Sequence, residues 1–191
     1  MSNFQKKNYI LFPSIFLIFC SIFFANSNFV LSYEKFGGKW GSANPLTFSY
    51  ASSVSTKTKN ATVSAATAWN MAYVPNVLIM HNNTNGKITV EETNNSWIEY
   101  EAWATNLPCA TCTYTSAIIT INSYHTETFN NSSALKSVLA HELGHVLGLA
   151  HSDVLFSLMN PETWGLTGRY GYYGITEPVS DDFDGATSIY K

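Results

Sequence analysis

Eleven consecutive residues constrain this chain more than any other feature: His141-Glu142-Leu143-Gly144-His145-Val146-Leu147-Gly148-Leu149-Ala150-His151. His141 and His145 are four apart, so on a helix their side chains stand one above the other on a single face. Gly148 marks where that helix must stop, because glycine reaches the positive φ of a sharp turn at little steric cost. His151 arrives after the turn, from a direction no continuing helix could supply. Two imidazoles at this spacing can hold one zinc ion at about 2.0–2.1 Å, and a third leaves an open fourth position, as catalytic zinc sites do. Glu142 lies beside such an ion instead of on it, placed to take a proton from an activated water. A bare H-E-x-x-H arises by chance in on the order of one chain per hundred, and the added glycine and histidine reduce that to roughly one in 10⁵.

The remaining pattern supplies a body for that helix. Hydrophobic residues make up 46% of the 191 and charged residues only 12%, which fits a packed core and excludes a disordered chain. Leu46 to Tyr50 alternates as a strand, and Ser55 opens an Ala-rich helix that ends before Pro75. Further strands are expected over Val77 to Met80, Lys87 to Glu92, Trp97 to Ala104 and Ala117 to Asn122. Ser132 and Ser133 are the expected caps of a helix from Ala134 to about Leu147. An irregular stretch follows over 160–180, rich in Gly, Pro and Tyr, and Ser180-Asp181-Asp182 opens a short last helix ending near Tyr190. This order predicts an α+β, near α/β, fold with a helix-backed mixed sheet.

The N-terminus reads as an address. Lys6 and Lys7 precede an apolar run from Ile10 to Phe24, followed by Ala25 and Ser27, the layout of a signal peptide over residues 1–27, with cleavage up to residue 32. The run is shorter than a stable membrane span needs. Without Lys6 and Lys7 the 10 Lys+Arg become 8 against 13 Asp+Glu, a net charge of −5. Arg169 is the sole arginine. A nucleic-acid partner, which requires a basic face, is excluded. Cys109 and Cys112, spaced C-x-x-C, read as a local disulfide of an exported chain. A zinc pair there would need partners that are not evident, and no βαβ pattern supports a thioredoxin-like site. His81 and His125 read as surface or turn histidines.

H-E-x-x-H-x-x-G-x-x-H followed by Ser157-Leu158-Met159-Asn160-Pro161 resembles the metzincin zinc endopeptidases. Ser152, directly after the third histidine, is similar to the matrixin branch, the matrix-metalloproteinase type of peptidase family M10. Trp40, Leu46 to Tyr50, Ile119 to Asn122 and Asp181-Asp182 extend the likeness over 39–191, which the resemblance makes the catalytic domain. The resemblance implies a metzincin fold: a twisted mixed sheet of about five strands backed by helices, a zinc-binding helix and a Met-turn. It implies His141, His145 and His151 as zinc ligands, Glu142 as general base and Met159 as a hydrophobic floor beneath the metal. Gly148, Asp181 and Asp182 become structural supports, the aspartates anchoring the base and the mature N-terminus. One catalytic Zn²⁺ is expected. Neither calcium nor a second zinc has sequence support, and the cysteine-switch propeptide motif of the branch is absent from the sequence.

The implied activity is an exported, zinc-dependent metalloendopeptidase that hydrolyses peptide bonds in proteins by a zinc-activated water. A non-catalytic zinc-binding module and a membrane-tethered protease are the alternatives, and the intact Glu142 argues against the first. A protein or peptide substrate, a monomeric state, secretion, and no stable membrane association after cleavage of the leader are expected. Substrate is expected to lie extended along the 97–104 strand. The loop bearing Trp164, Tyr170, Tyr172 and Tyr173 is expected to favour an apolar side chain after the cut.

Overall fold

Leu46 and Phe48 are buried while their neighbours are more exposed, and strand β2 (Ala43–Tyr50) forms on that alternation. The computed structural model describes residues 33–191; the expected leader, 1–27, lies outside them. Strands β3 (Val77–His81) and β4 (Ile88–Thr93) flank β2, both parallel to it. Strand β7 (Ser116–Asn122) runs parallel to β4 and buries a nearly continuous run from Ala117 to Asn122. Such a run suits a central strand covered on both faces. Strand β5 (Ala102–Leu107) closes this edge, antiparallel to β7. The five-stranded order is β3-β2-β4-β7-β5. It bears out the expected mixed sheet. Two residues each of β1 (Lys39–Trp40) and β6 (Thr113–Tyr114) pair in parallel separately, too short for any periodicity to have signalled.

Helix α1 (Thr56–Met71) starts at Ser55, whose hydroxyl accepts the Thr58 N–H. Its small residues Ala61, Ala65 and Ala68 are buried with Trp69, and the Trp69 indole donates to the Ala140 carbonyl at 2.8 Å. That bond fixes α1 against helix α3 (Ser132–Val146), the helix that bears the histidines. A single turn, α2 (Thr126–Phe129), was not anticipated. Nor do Ser132 and Ser133 cap α3: Asn131 does, its Oδ1 accepting from Ser133 N and Ala134 N, while both serines are already helical or begin the helix. The last helix, α4 (Ser180–Tyr190), begins as expected near Asp181.

The edge strand lies five residues later than its expected start. Asn122 explains this: its amide donates to the carbonyls of Asn95, Ile98 and Tyr100, holding that stretch as a loop. Side-chain hydrogen bonds of this kind compete with a strand ladder. Among the described residues no helix is long and apolar enough to cross a membrane.

Candidate active site

Helix α3 is buried from Ala134 to Val146 but for Lys136, so its histidines project from a fixed axle into the molecule. The His141 and His145 rings lie 4.6 Å apart, centroid to centroid. At Gly148 the chain turns with φ +100°, and a Cβ there would sit 2.7 Å from the Gly38 carbonyl oxygen. The segment before β1 clasps this turn: Phe36 N–H donates to Gly148 O at 3.0 Å and Ala150 N–H donates to Glu34 O at 2.9 Å. The clasp carries the chain to His151, whose ring lies 5.3 Å from His141 and 4.8 Å from His145. One ligating nitrogen from each of the three lies within 4.8 Å of the others, a group that could hold a metal ion.

The donor set fits zinc. His141 Nδ1 and His145 Nδ1 each face a carbonyl oxygen at 2.8 Å, of Leu158 and Leu149. A carbonyl only accepts, so each Nδ1 carries the proton and each Nε2 keeps a free lone pair. Burial, with the Arg169 and neighbouring imidazole charges as further causes, holds His141 well below the ordinary imidazole range. Burial also lowers His145 to about 4 and lowers the more exposed His151. All three imidazoles are thus neutral near pH 7, the state in which they ligate a metal.

Glu142 is buried beside them and its Oε2 has no hydrogen-bond partner among the described residues. Burial pushes its carboxyl up to about 7, while Arg169 and the Ala104 backbone pull it down. A cavity of about 820 Å³ opens over Glu142 and the histidines, with residues 99–104 forming one wall and residues 161–164 another. A buried carboxylate left without a partner at the edge of such a space has the chemistry of a base.

Met159 is buried, its backbone oxygen accepting from Ser152 N–H at 3.0 Å. Asp182 holds this turn: its carboxylate accepts from Ser157 Oγ at 2.6 Å and from the N–H groups of Leu158, Met159 and Val179. Burial pushes its carboxyl above the ordinary range against those four donors. Asp181 accepts from Ser152 Oγ at 2.8 Å, so in the described residues the aspartate pair anchors the Met-turn and the residue after the third histidine.

Three contributors escaped sequence reasoning. At Gly144 an added Cβ would collide with Met159 Sδ, so the helix backbone there closes directly on the methionine side chain. Asn106 Nδ2 donates to the His145 carbonyl at 2.7 Å and ties β5 to α3. Arg169 is 2% exposed and donates from Nη1 to the carbonyls of Asn160 and Pro161. Burial lowers its guanidinium to about 10. A motif scan sees none of these, although the singularity of one arginine in the chain was visible.

Other candidates lie elsewhere. Cys109 and Cys112 form a disulfide, with Cα atoms 5.2 Å apart, in the loop between β5 and β6. His81 stacks on Phe48 and Tyr50, away from the histidine cluster. His125 faces the cavity, but its Nε2 is engaged with the Ile98 carbonyl.

Comparison with known proteins agrees with this geometry. The matrixin model of the M10 peptidases matches residues 36–191. Interstitial collagenase of Oryctolagus cuniculus is 42% identical over 65 residues, covering 34% of this chain and 12% of that protein. Interstitial collagenase of Sus scrofa is 45% identical over 56 residues, covering 29% of this chain and 10% of that protein. These matches span about a tenth of the relatives' own length. With the family match running from the clasp to the last residue, and with the three-histidine centre inside it, the chain belongs to the matrixin family of zinc metalloendopeptidases.

Proposed function

We propose that this chain is an exported zinc metalloendopeptidase acting on peptide bonds in proteins, with Glu142 as its general base. One observation carries the reading: the partnerless Glu142 Oε2 stands next to three neutral imidazoles at the edge of an open cleft. His141, His145 and His151 would hold the ion, and Met159 would floor it. When bound, zinc supplies Lewis acidity, polarising a carbonyl and making water acidic near neutral pH.

The chain's own residues do the rest. The carbonyls of Leu158 and Leu149 keep the two helical imidazoles in the ligating tautomer. Glu142 Oε2 accepts a proton from the attacking water and passes it to the departing amide nitrogen. Among the described residues strand β5 has a neighbour on its β7 side only, so a peptide can add along its other side as an extra strand. Residues 161–164 shape the pocket for the side chain that follows the cut.

Glu142→Gln tests the role. Turnover of a protein substrate is expected to fall by about 10²–10⁴-fold, with one zinc still bound per chain by elemental analysis. Undiminished cleavage refutes the base assignment. A wild-type protein that binds zinc and cleaves no peptide library would favour the non-catalytic module. Mass spectrometry of the exported protein's N-terminus separates secretion, with the first 27–32 residues gone, from a retained tether.

A further inference from the structure

The Cys109–Cys112 disulfide takes no part in the chemistry proposed above, yet hydrogen bonds lead from its loop to the turn that carries His151. Within the loop, Cys112 N–H donates to Cys109 O at 3.1 Å, under the covalent bond between the two side chains. The closed stretch turns two carbonyls toward one strand. Gly38 N–H donates to Ala110 O at 3.1 Å, and Lys39 N–H donates to Cys112 O at 3.2 Å. The Tyr114 hydroxyl donates to the same Ala110 O at 2.7 Å. A Cβ at Gly38 would collide with both carbonyl oxygens and with the Tyr114 ring, so the strand lies flush against the loop.

The same strand grips the end of α3. Trp40 Nε1 donates to Val146 O at 2.8 Å, and the backbones of Glu34 and Phe36 bond those of Ala150 and Gly148. The Phe36 ring lies 5.5 Å from the His145 ring and lines the cavity. A second path leaves the loop through β5: Asn106, three residues before Cys109, donates to the His145 carbonyl. Both ends of the disulfide loop therefore connect to residues 145–150, the segment that sets His145 and returns the chain to His151. Both cysteines are only half-buried, open to a soluble reductant.

Resting on the protease reading above, we propose that the Cys109–Cys112 disulfide is a redox-sensitive latch that positions the zinc ligands: oxidised, it braces the strand that returns His151 to the metal, and reduced, it weakens the hold on zinc. A soluble dithiol supplies the electrons. One of its thiolates attacks a cysteine sulfur, breaking the S–S bond and forming a mixed disulfide. Its second sulfur then displaces that cysteine, so the dithiol leaves oxidised to a disulfide and both cysteines end as thiols carrying its two protons. Residues 109–112 regain conformational freedom, and the Gly38 and Lys39 N–H groups lose acceptors that were held in place. Contacts that orient metal ligands from outside typically change metal affinity by about 10- to 100-fold. On the exported reading, a reducing compartment keeps the latch open before export and an oxidising one closes it afterwards.

The test measures zinc affinity by competition with a chromophoric chelator in three forms of the full chain: oxidised, reduced with a phosphine and then desalted without air, and Cys109→Ser/Cys112→Ser. The temperature is one at which circular dichroism shows the forms folded. Reduction is expected to raise the zinc Kd by about tenfold, and the double variant is expected to match the reduced form and to ignore the phosphine. At limiting zinc, turnover of a quenched peptide is expected to fall with unchanged KM, and excess zinc to restore it. Equal zinc affinity in the oxidised and reduced forms overturns the proposal, even where the Tm falls, and leaves the disulfide an ordinary staple. A redox-dependent zinc affinity in a chain that cleaves no peptide supports the latch and refutes the protease reading. No zinc bound by the oxidised form overturns both. If the double variant does not fold, the reduced wild type decides alone.

Discussion

Single positions here set tight packing tolerances. Gly144 is one: besides its approach to Met159 Sδ, a Cβ would lie 3.2 Å from the Trp69 ring. Gly144→Ala gains some helix propensity but overpacks that contact, so urea unfolding is expected to show a net loss of about 1–3 kcal/mol. An unchanged or raised midpoint would show that Met159 moves aside freely. His145 is another. In the metal-free fold its ring titrates at about 4, below the ordinary 6.5, because it is buried. Between those values the unfolded chain binds more protons than the folded one, so stability rises with pH. The His145 contribution is complete above pH 6.5 and is lost as pH falls through 4. In chelator, unfolding free energy is expected to drop by about 3 kcal/mol across that window from this ring. A pH-independent midpoint between 7 and 4 would contradict its burial as a neutral group.

At the scale of elements, the site is a junction of α3, the Met-turn and α4: His141 ties α3 to the Leu158 carbonyl, and Asp182 ties that turn to the start of α4. Its four accepted hydrogen bonds span residues 157–159 and 179. Asp182→Asn keeps the shape but turns an N–H₂ group toward donors, leaving buried N–H groups unpaired. The expected cost is about 2–4 kcal/mol in chemical denaturation, with weakened zinc retention; loss of less than half a kcal/mol would remove Asp182 from this role. Strand β5 poses a separate question. If a peptide pairs with its open edge, methylating the substrate backbone N–H groups that face β5 is expected to lower kcat/KM by about tenfold per bond. Equal rates for methylated and plain peptides would place the substrate elsewhere in the cleft.

For the whole molecule, the metal couples to folding, since three imidazoles from two sides of a turn converge only in the native chain. Stripping zinc with chelator is expected to lower the Tm, and adding zinc back to restore it; an identical Tm with and without the ion would mean the cluster does not bind it in the fold. Much of this molecule was legible in its residues. The helix of His141 and His145, the stop at Gly148 and the strands of alternating Leu46 and Phe48 are local patterns, fixed by the 3.6- and 2-residue periods of the backbone. What was not legible involves partners far apart in the chain. Asn122 shortens the edge strand by bonding 22 to 27 residues back. Trp69 grips Ala140 across 71 residues, and Arg169 is buried although arginine usually seeks water. The sequence by itself determined that His141 and His145 act together with Glu142 beside them, because a spacing of four puts the two imidazoles on a shared helical face and the next residue one position round it. Only the tertiary structure decided how the third imidazole returns, what clamps the Met-turn, and which charge lines the pocket, because those depend on contacts that exist only after distant segments have packed.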